Sequence, residues 1–536
     1  MKKNRKYSIF TIILALSLFV GFGWNSSLIS ASNTGDKTTN NQEEDVFRVG
    51  MEAGYPPFNW TQMDKSNGAV PIDGTKEYAG GYDVEIAKII AKSLGKKLVI
   101  VKTEWDGLVP ALTSGKIDAI IAGMSPTKER KETIDFTDIY YKSNLIMVVK
   151  NGSKYENATS IKDFSGAKIT AQLNTFHYNV IDQIKGVNKQ IAMDNFTAMR
   201  VALQSGMIDG YVSERPEGVS ASRANKDFVM VEFKDGFKTS EEDTAVSVGV
   251  AKNSPLTGKI NEALAGVSEK DREKIMDDAI TNQPGTGKTT ILTIIKDNGP
   301  MFLRGAGMTL LISMTGTVLG FAIGLLVGLV RTIPTPSKRS KKVIKNIVNG
   351  LLAAYIEFFR GTPMIVQAMV IYYGSAIAFD IQMNRLAAAI FIVSINTGAY
   401  MSEIIRGGIV SVDKGQFEAA QAVGMNHFQT MKNVILPQVI RNILPATGNE
   451  FVINIKDTSV LNVISVTELF FQTKTVAGTN FNYFKSFFVA CVLYFVMTFT
   501  VTRILRYIER KLDGPDNYIM MANQMQVEKI PSLEDK

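Results

Sequence analysis

Gln416-Phe417-Glu418-Ala419-Ala420-Gln421-Ala422-Val423-Gly424, continuing to Val434-Ile435-Leu436-Pro437, is a polar island between two apolar stretches, 385–405 and 443–466. Phe417, Ala420 and Gly424 fall at helical spacing, so a short helix is expected there. Gly424 suits a helix stop or a tight turn, because glycine enters the left-handed region without steric cost. A second short helix follows, and Pro437 marks a new start or a kink. Taken alone, Glu418-Ala419-Ala420 describes a surface helix-turn-helix between apolar spans. The longer spacing is more specific: Glu-Ala-Ala, three residues, Gly424, nine residues, then Val434 to Pro437.

The chain has 536 residues, too long for one domain and enough for two or three. Hydrophobic residues make up 45% and are concentrated after residue 300. The net charge is +8, which in a soluble protein would raise the question of nucleic acid. Here the surplus cations sit at the N-terminus and beside apolar spans, while residues 45–280 mix both signs. The basic balance therefore reads as membrane topology, with no nucleic-acid partner. Cys491 is the only cysteine and lies in an apolar run, so no intrachain disulfide, zinc or redox motif is available.

Residues 1–32 read as an export signal: Lys2, Lys3, Arg5 and Lys6 precede the apolar run Ile9–Phe22, and Ser30-Ala31-Ser32 follows. An uncleaved anchor is the alternative, although the run is short for a spanning helix. Residues 33–45 are a polar tether. Residues 46–280 read as soluble α/β, with strands at Phe47–Met51 and Leu98–Val101 and helices at Asp83–Leu94 and Val109–Thr113. Ser114-Gly115-Lys116-Ile117-Asp118-Ala119 leads into an apolar strand, and Ser205-Gly206-Met207-Ile208-Asp209-Gly210 does so again. Two similar lobes would produce this echo. Ligands of open α/β sheets sit beyond the carboxyl ends of strands. That places Ala122-Gly123 and Ser213-Glu214 as candidate lining on facing lobes.

Pro284-Gly285-Thr286-Gly287-Lys288-Thr289-Thr290 looks like a phosphate-binding loop, but Asn282 stands where the signature needs its first glycine. No buried strand precedes it either, so 281–300 reads as a flexible linker. Apolar spans fall near 308–330, 347–378 (interrupted), 385–405, 443–466 and 484–505. The first inter-span loop carries Arg331, Lys338, Arg339, Lys341, Lys342 and Lys345 and is cytoplasmic by the positive-inside rule. Counting onward puts 379–384 and 467–483 outside and the Glu-Ala-Ala loop inside. Residues 46–280 are then exported, 301–512 form the membrane domain, and 513–536 are a cytoplasmic tail.

The Glu418–Pro437 pattern resembles the coupling loop of bacterial ABC importer permeases. Glu357-Phe358-Phe359-Arg360-Gly361-Thr362-Pro363, Asn396-Thr397-Gly398-Ala399-Tyr400 and Lys456-Asp457-Thr458-Ser459 resemble the polar amino acid permeases in particular. Residues 46–280 are similar to the periplasmic-type binding proteins for polar amino acids. The matching residues are Tyr55-Pro56-Pro57-Phe58, Gly81 to Ala87, Trp105 to Leu112, Gly123-Met124-Ser125 through Glu129-Arg130, and Asp135-Phe136. The resemblance implies a two-lobed α/β (type II) binding domain, with lobe one at 46–140 and 246–280 and lobe two at 143–243. An all-α permease domain with about five transmembrane helices follows. It also implies an importer subunit in the cell membrane that works as a permease homodimer. A separate cytoplasmic ATPase would use ATP and Mg, docking on Glu418, Ala419, Ala420, Gly424, Leu436 and Pro437. This chain itself would hold no cofactor or metal and would not be an enzyme.

A free amino acid presents a carboxylate, an ammonium and a side chain, and each needs a complementary partner once water is excluded. Arg130 offers a planar fork for the carboxylate. Ser125 and the residues after it begin a helix whose free N–H groups would add to anion binding. The plain alternative is a solvated Arg130 among Lys128, Glu129 and Lys131. Glu214 stands where the family usually has Asp and would hold the ammonium. Gln172 and Thr175 occupy the lobe-two loop that meets the carboxylate in relatives, with Asn174 where the family usually has Gly. Tyr55 and Trp105 look like aromatic walls, or else are ordinary core aromatics. Glu52 matches the position of an acid facing the tip of the ligand side chain. A carboxylate there favours a basic amino acid, with glutamine as the alternative. Glu450 lies in a span, where an acid is costly and functional by default. A ligand-gated channel and a lobe-based enzyme such as a dehydratase are the rival classes. The first has no use for a coupling loop, and the second none for a fused permease.

Overall fold

A computed structural model describes residues 45–283, 290–480 and 482–512. The export signal, nearly all of the tether, the phosphate-loop-like stretch except Thr290, and the tail lie outside the described residues.

The N-terminal half contains two five-stranded sheets of one topology. In the first lobe the order is Lys97–Lys102, Val46–Met51, Ala119–Ile120, Ala245–Val250, Asp135–Lys142. In the second it is Asn188–Lys189, Lys168–Thr170, Gly210–Glu214, Leu145–Lys150, Phe228–Val231. The first three strands of each sheet run parallel and the last two pair antiparallel. The chain passes between lobes after Lys142 and again before Ala245.

The echo in the sequence has a physical meaning in this arrangement. Gly115 and Gly206 each end a helix in the left-handed region, at φ +69° and +77°. Each following aspartate clamps the neighbouring strand: Arg48 N–H donates to Asp118 Oδ2 at 2.7 Å, and Lys168 N–H donates to Asp209 Oδ2 at 2.8 Å. The helix Tyr82–Leu94 packs Val84, Ala87, Ile90 and Ala91 into the first lobe and stops at left-handed Gly95.

The C-terminal half is helical: α1 (Ile291–Thr332), α2 (Arg339–Gly361), α3 (Met364–Phe379), α4 (Arg385–Val410), α5 (Lys414–Ala422), α6 (Leu436–Asp457), α7 (Leu469–Asn480) and α8 (Tyr483–Leu512). The stretch expected to be a linker is helical from residue 291. Thr290 caps α1 by accepting from Thr293 N–H, and Pro300 sits within the helix. Caps and apolar residues there extend α1 well beyond its apolar span.

The interrupted span is two helices bent by 112°. Thr362 lies between them in extended backbone, because the ring of Pro363 disfavours helix at the residue before it. Among the described residues, three helices are fit by length and apolarity to cross a membrane, or four with the bent pair taken as one. α6, expected as a further span, falls short by that measure because Arg441, Glu450, Lys456 and Asp457 dilute it.

α1 and α4 run side by side in the same direction. Gly316, Gly320, Gly324 and Gly328 of α1 meet Val393, Thr397, Met401 and Ile405 of α4, four residues apart on both helices. A Cβ on these glycines would come within 2.4, 2.7, 2.5 and 2.9 Å of the partner side chains. At one end of this pair the helical half meets the first lobe: Arg304 pairs with Glu77, and Gln382 Nε2 donates to Ser114 O at 2.8 Å. At the other end Arg331 pairs with Glu403 and α4 leads into α5. The loops read as external therefore share a side with the lobes, and the Glu-Ala-Ala loop lies on the opposite side.

Replacing Gly324 with Leu is expected to cost about 3 kcal/mol, at the upper end for overpacking, because its Cβ would also lie 2.8 Å from the backbone atom Ser402 N. Thermal unfolding of the purified chain should show a large loss for Gly324→Leu and almost none for Gly307→Ala, whose Cβ would meet nothing within 4 Å.

Candidate functional site

The cleft between the lobes has two chambers. The first is built around Arg130, half-buried rather than solvated. Its Nη1 donates to Ser125 O at 2.9 Å and its Nη2 crosses to Asn174 O on the second lobe at 3.0 Å. The guanidinium lies over the Trp105 ring, 5.1 Å from its centroid. Burial pushes Arg130 down to about 10, the sign of a cation short of counter-charge. The helix after Ser125 is only Lys128–Thr133, and its N-cap Thr127 makes no side-chain cap bond. With so short a helix, the positive charge of this chamber comes from the side-chain fork of Arg130 rather than from a long helix end.

Asn174 adopts φ +56°, the left-handed conformation a glycine would take and one that Asn tolerates. Its side chain donates to Asp106 Oδ1 on the first lobe at 2.8 Å. Thr175 Oγ1 donates to Gln172 O at 2.7 Å, bracing the same loop.

Tyr55 stacks flat between Phe58 and Phe196, with centroids 4.9 and 4.3 Å away, so the wall is shared by both lobes. Tyr55 OH donates to Glu214 Oε2 at 2.6 Å. Glu214 Oε1 is buried without a hydrogen-bond partner, and His177 Nε2 lies 3.6 Å from it, beyond hydrogen-bond range. A buried carboxylate oxygen with unused capacity is suited to accept from an ammonium. Gly123, at φ +64°, lets Tyr55 approach, because a Cβ there would lie 2.7 Å from the Tyr55 ring. Ala122 is buried just behind it in the lobe-one core.

The second chamber is acidic. Glu52 is 9% exposed and accepts from Gln172 Nε2 at 3.4 Å across the cleft. Desolvation first, and Glu104 second, push the Glu52 carboxyl up to about 7. Lys102 and Lys474 pull the other way. Burial likewise lowers Lys102 to about 8. Glu52, Glu104, Lys102 and Lys474 therefore form a poorly solvated cluster in which Glu104 is paired with Lys474 and burial outweighs the compensation at Glu52.

The floor uses residues that periodicity alone does not mark. Asp83 accepts from Asn59 Nδ2 at 2.8 Å and from Tyr140 OH at 2.7 Å. Tyr140 OH in turn receives Gly123 N–H at 3.3 Å. Phe196, His177, Glu104, Lys102 and Lys474 were not among the residues singled out from sequence. For the first two, a signal existed in the segments that follow Asn195 and Thr175, each the N-cap of a helix. Lys474 comes from the other half of the chain and carried no local signal.

At the opposite end, Glu418, Ala419 and Gly424 are exposed and Ala420 is buried. Gly424 takes φ +82°, and a five-residue π-turn, Met431–Ile435, precedes Leu436 and Pro437 at the start of α6. Val423 and Phe428 are largely exposed there. Glu450 is half-buried within α6. One turn further on, Asn454 Nδ2 donates to Thr317 Oγ1 at 2.8 Å and to Thr397 Oγ1 at 3.0 Å, tying α6 to α1 and α4.

Residues 47–280 match the family model of bacterial extracellular solute-binding proteins, family 3. Residues 342–514 match that of the binding-protein-dependent transport system inner membrane component. The glutamine transport system permease protein GlnP of Escherichia coli (strain K12) is 39% identical over 214 residues, 40% of this chain and 93% of that protein. The probable amino-acid permease protein YxeN of Bacillus subtilis (strain 168) is 35% identical over 218 residues, 40% of this chain and 93% of that protein. Among solved structures, an ancestral arginine-binding protein bound to arginine is 33% identical, covering 43% of this chain and 96% of its own, with a TM-score of 0.36. With a permease relative matched over nearly its whole length and a solute-binding domain ahead of it, the chain belongs to the amino acid ABC transporter permeases, as a membrane protein that carries its extracytoplasmic binding domain on the same polypeptide.

Proposed function

We propose that the chain imports a basic L-amino acid. The observation that carries this reading is the pair of oppositely frustrated chambers. Arg130 lacks an anion, Glu214 has a spare buried oxygen, and Glu52 is pushed up by burial and by Glu104, which is itself paired with Lys474 of the helical half. A ligand with a carboxylate, an ammonium and a cationic side chain would satisfy all three. Arg130, Ser125, Gln172 and Thr175 then serve the carboxylate end, Glu214 the ammonium, Tyr55 and Trp105 the walls, and Glu52 the side-chain tip. Glutamine is the second reading, favoured by the GlnP relative and by the capacity of Glu52 to accept from an amide.

The permease half is proposed to work as a homodimer, each copy supplying half of the path and its own Glu450. A separate ATPase would supply ATP hydrolysis with Mg, gripping the exposed face of α5 around Glu418, Ala419 and Gly424 and the start of α6 at Leu436-Pro437. The chain itself then has a transport role, with no catalytic step of its own.

Isothermal titration of the full-length chain with arginine, lysine, histidine, glutamine and glutamate tests the substrate. Tight binding of a cationic ligand, weakened roughly a hundredfold in Glu52→Gln, is the expected result for removing a buried charge partner. A glutamine preference indifferent to Glu52 would remove that residue from the pocket.

The affinity for that cation should also depend on pH. The cation favours the Glu52 carboxylate, so binding is full above about pH 8 and falls as pH drops through about 7, approaching a factor of about ten per unit below it. Glu104, Lys474, Lys102 and Gln172 are the groups that face Glu52. Lys102 and Asp83 titrate in the same region, and a flat profile in Glu52→Gln assigns the effect to Glu52.

Gly424→Val forces a β-branched residue into the left-handed region at a cost of about 1–2 kcal/mol. Ligand binding by the full chain should be unchanged while ATP-driven uptake falls sharply in vesicles containing the ATPase partner.

A further inference from the structure

Lys474 belongs to α7 in the helical half, yet its ammonium sits in the acidic chamber between the lobes. Its Nζ lies 2.6 Å from Glu104 Oε2, with both side chains about four-fifths buried, at 17% and 20% exposed. Glu52 and Asp194 act on it electrostatically from the two lobes. The chamber is bounded by Glu52, Glu104 and Lys102 of the first lobe and Asn195 and Thr197 of the second, and about 30 Å³ remains in it. That is room for a water or two.

The placement is built. Glu468 accepts from Phe470 N–H at 2.9 Å and Phe471 N–H at 2.7 Å, fixing the start of α7. Lys102 Nζ donates to Thr475 Oγ1 at 2.6 Å, and its ammonium lies 5.1 Å from the Phe471 ring centroid. On the far side Gly478 faces Thr197, with room for a Cβ at 3.7 Å from its Oγ1. The helix therefore enters between the lobes as a wedge with Lys474 at its charged point.

We propose that Lys474 is a ligand-displacing residue: when the lobes dock on the permease, its ammonium takes over Glu104 and Glu52 from the cationic end of the bound amino acid. The proposal rests on the basic-ligand reading above. Two like charges cannot share one small, poorly solvated acidic chamber without mutual repulsion. Docking and ligand binding are then antagonistic, and the coupling is reciprocal: Lys474 weakens the ligand as much as the ligand weakens docking at Lys474. The carboxylate chamber around Arg130 is untouched by Lys474, so the cationic end is released first. A neutral ligand has no charge for Lys474 to displace and is affected far less.

The test uses the full chain in lipid nanodiscs for binding, and vesicles with its ATPase partner for uptake. Lys474→Met and Lys474→Gln should bind arginine or lysine roughly tenfold tighter than the wild type, release it more slowly, and import it more slowly at saturating ligand. Lys474→Arg should behave as the wild type, and glutamine binding should barely move. Tighter binding confined to cationic ligands in the neutral variants, with wild-type behaviour restored in Lys474→Arg, is a readout that a purely structural role for Lys474 would not produce. A wild-type chain that binds arginine while both neutral variants bind it unchanged, or more weakly, overturns the proposal alone. A wild-type chain that binds no cationic amino acid overturns the substrate reading and this proposal with it.

Discussion

The helical half depends on one close approach. Lipid offers helices no hydrophobic reason to associate, so they are held by packing at short range and by buried polar bonds. Gly316, Gly320, Gly324 and Gly328 supply the first by letting α1 sink onto α4. Asn454 supplies the second, bonding to Thr317 and Thr397 beside that seam. The consequence is mechanical. α1 carries Arg304, which meets Glu77 of the first lobe, and Arg331, which meets Glu403 near the opposite end. α4 runs on into α5 and the exposed Glu-Ala-Ala face. A slab packed along its whole length thus joins the docked lobe to the coupling loop, and α6 with Glu450 is tied to it at Asn454.

The cleft follows a different rule. Charges taken from water must be compensated, and the direction of each pKa shift shows where compensation is short. Arg130 is pushed down and Glu52 is pushed up, each by burial first. The two sit in adjoining chambers bridged by Gln172, which lines the first and donates to Glu52 in the second. Contrast Arg200 and Glu217, buried elsewhere in the second lobe and joined at 2.7 Å, where the acid supplies the needed counter-charge within the fold. Incompletely compensated charge of both signs in one cleft is what the proposed zwitterion site requires, and it differs from a self-contained structural ion pair.

Much of this was legible from residue order because it rests on local rules. The Gly115 and Gly206 turns and left-handed Gly424 need only neighbouring residues and showed in the sequence, whereas the Asp118 and Asp209 clamps, visible only as a repeated pattern, reach 70 and 41 positions back to Arg48 and Lys168. The 112° bend was visible as an interruption of the 347–378 span, though neither its place at Pro363 nor its angle was, since the angle depends on what α3 packs against. The extension of α1 back to residue 291 was missed because a glycine- and threonine-rich run just before it suggested a linker. The glycine ladder was in plain view at four-residue spacing, but an unpartnered helix gives no indication of what its small residues face. Arg130 and Glu52 came from a motif resemblance and Glu214 from the strand echo, whereas Glu104 and Lys474 had neither signal. Their meeting joins residues 370 positions apart on two separately folded halves, and no pattern within either half encodes it.

Carrying both halves on one polypeptide also explains why the polar contacts between them, beside the apolar packing they share, can be modest. Apart from the Lys474 wedge, the polar contacts at the seam among the described residues include the Arg304 pair, the Gln382 bond to Ser114, and Lys116, which donates to Gln382 Oε1 at 3.4 Å and lies over the Tyr372 ring at 3.8 Å. Partly exposed pairs of this kind are worth about 1 kcal/mol or less each. For a free binding protein that would demand a high concentration outside the cell. A covalent tether instead holds the lobes at an effective concentration of about a millimolar, so docking need not be tight to be frequent. Weak docking is also what repeated capture requires, because lobes held fast against the permease would keep Lys474 in the chamber that the next ligand must enter. The strength of the seam and the competition inside the cleft are therefore one constraint: contact must be strong enough to deliver Lys474 and weak enough to withdraw it.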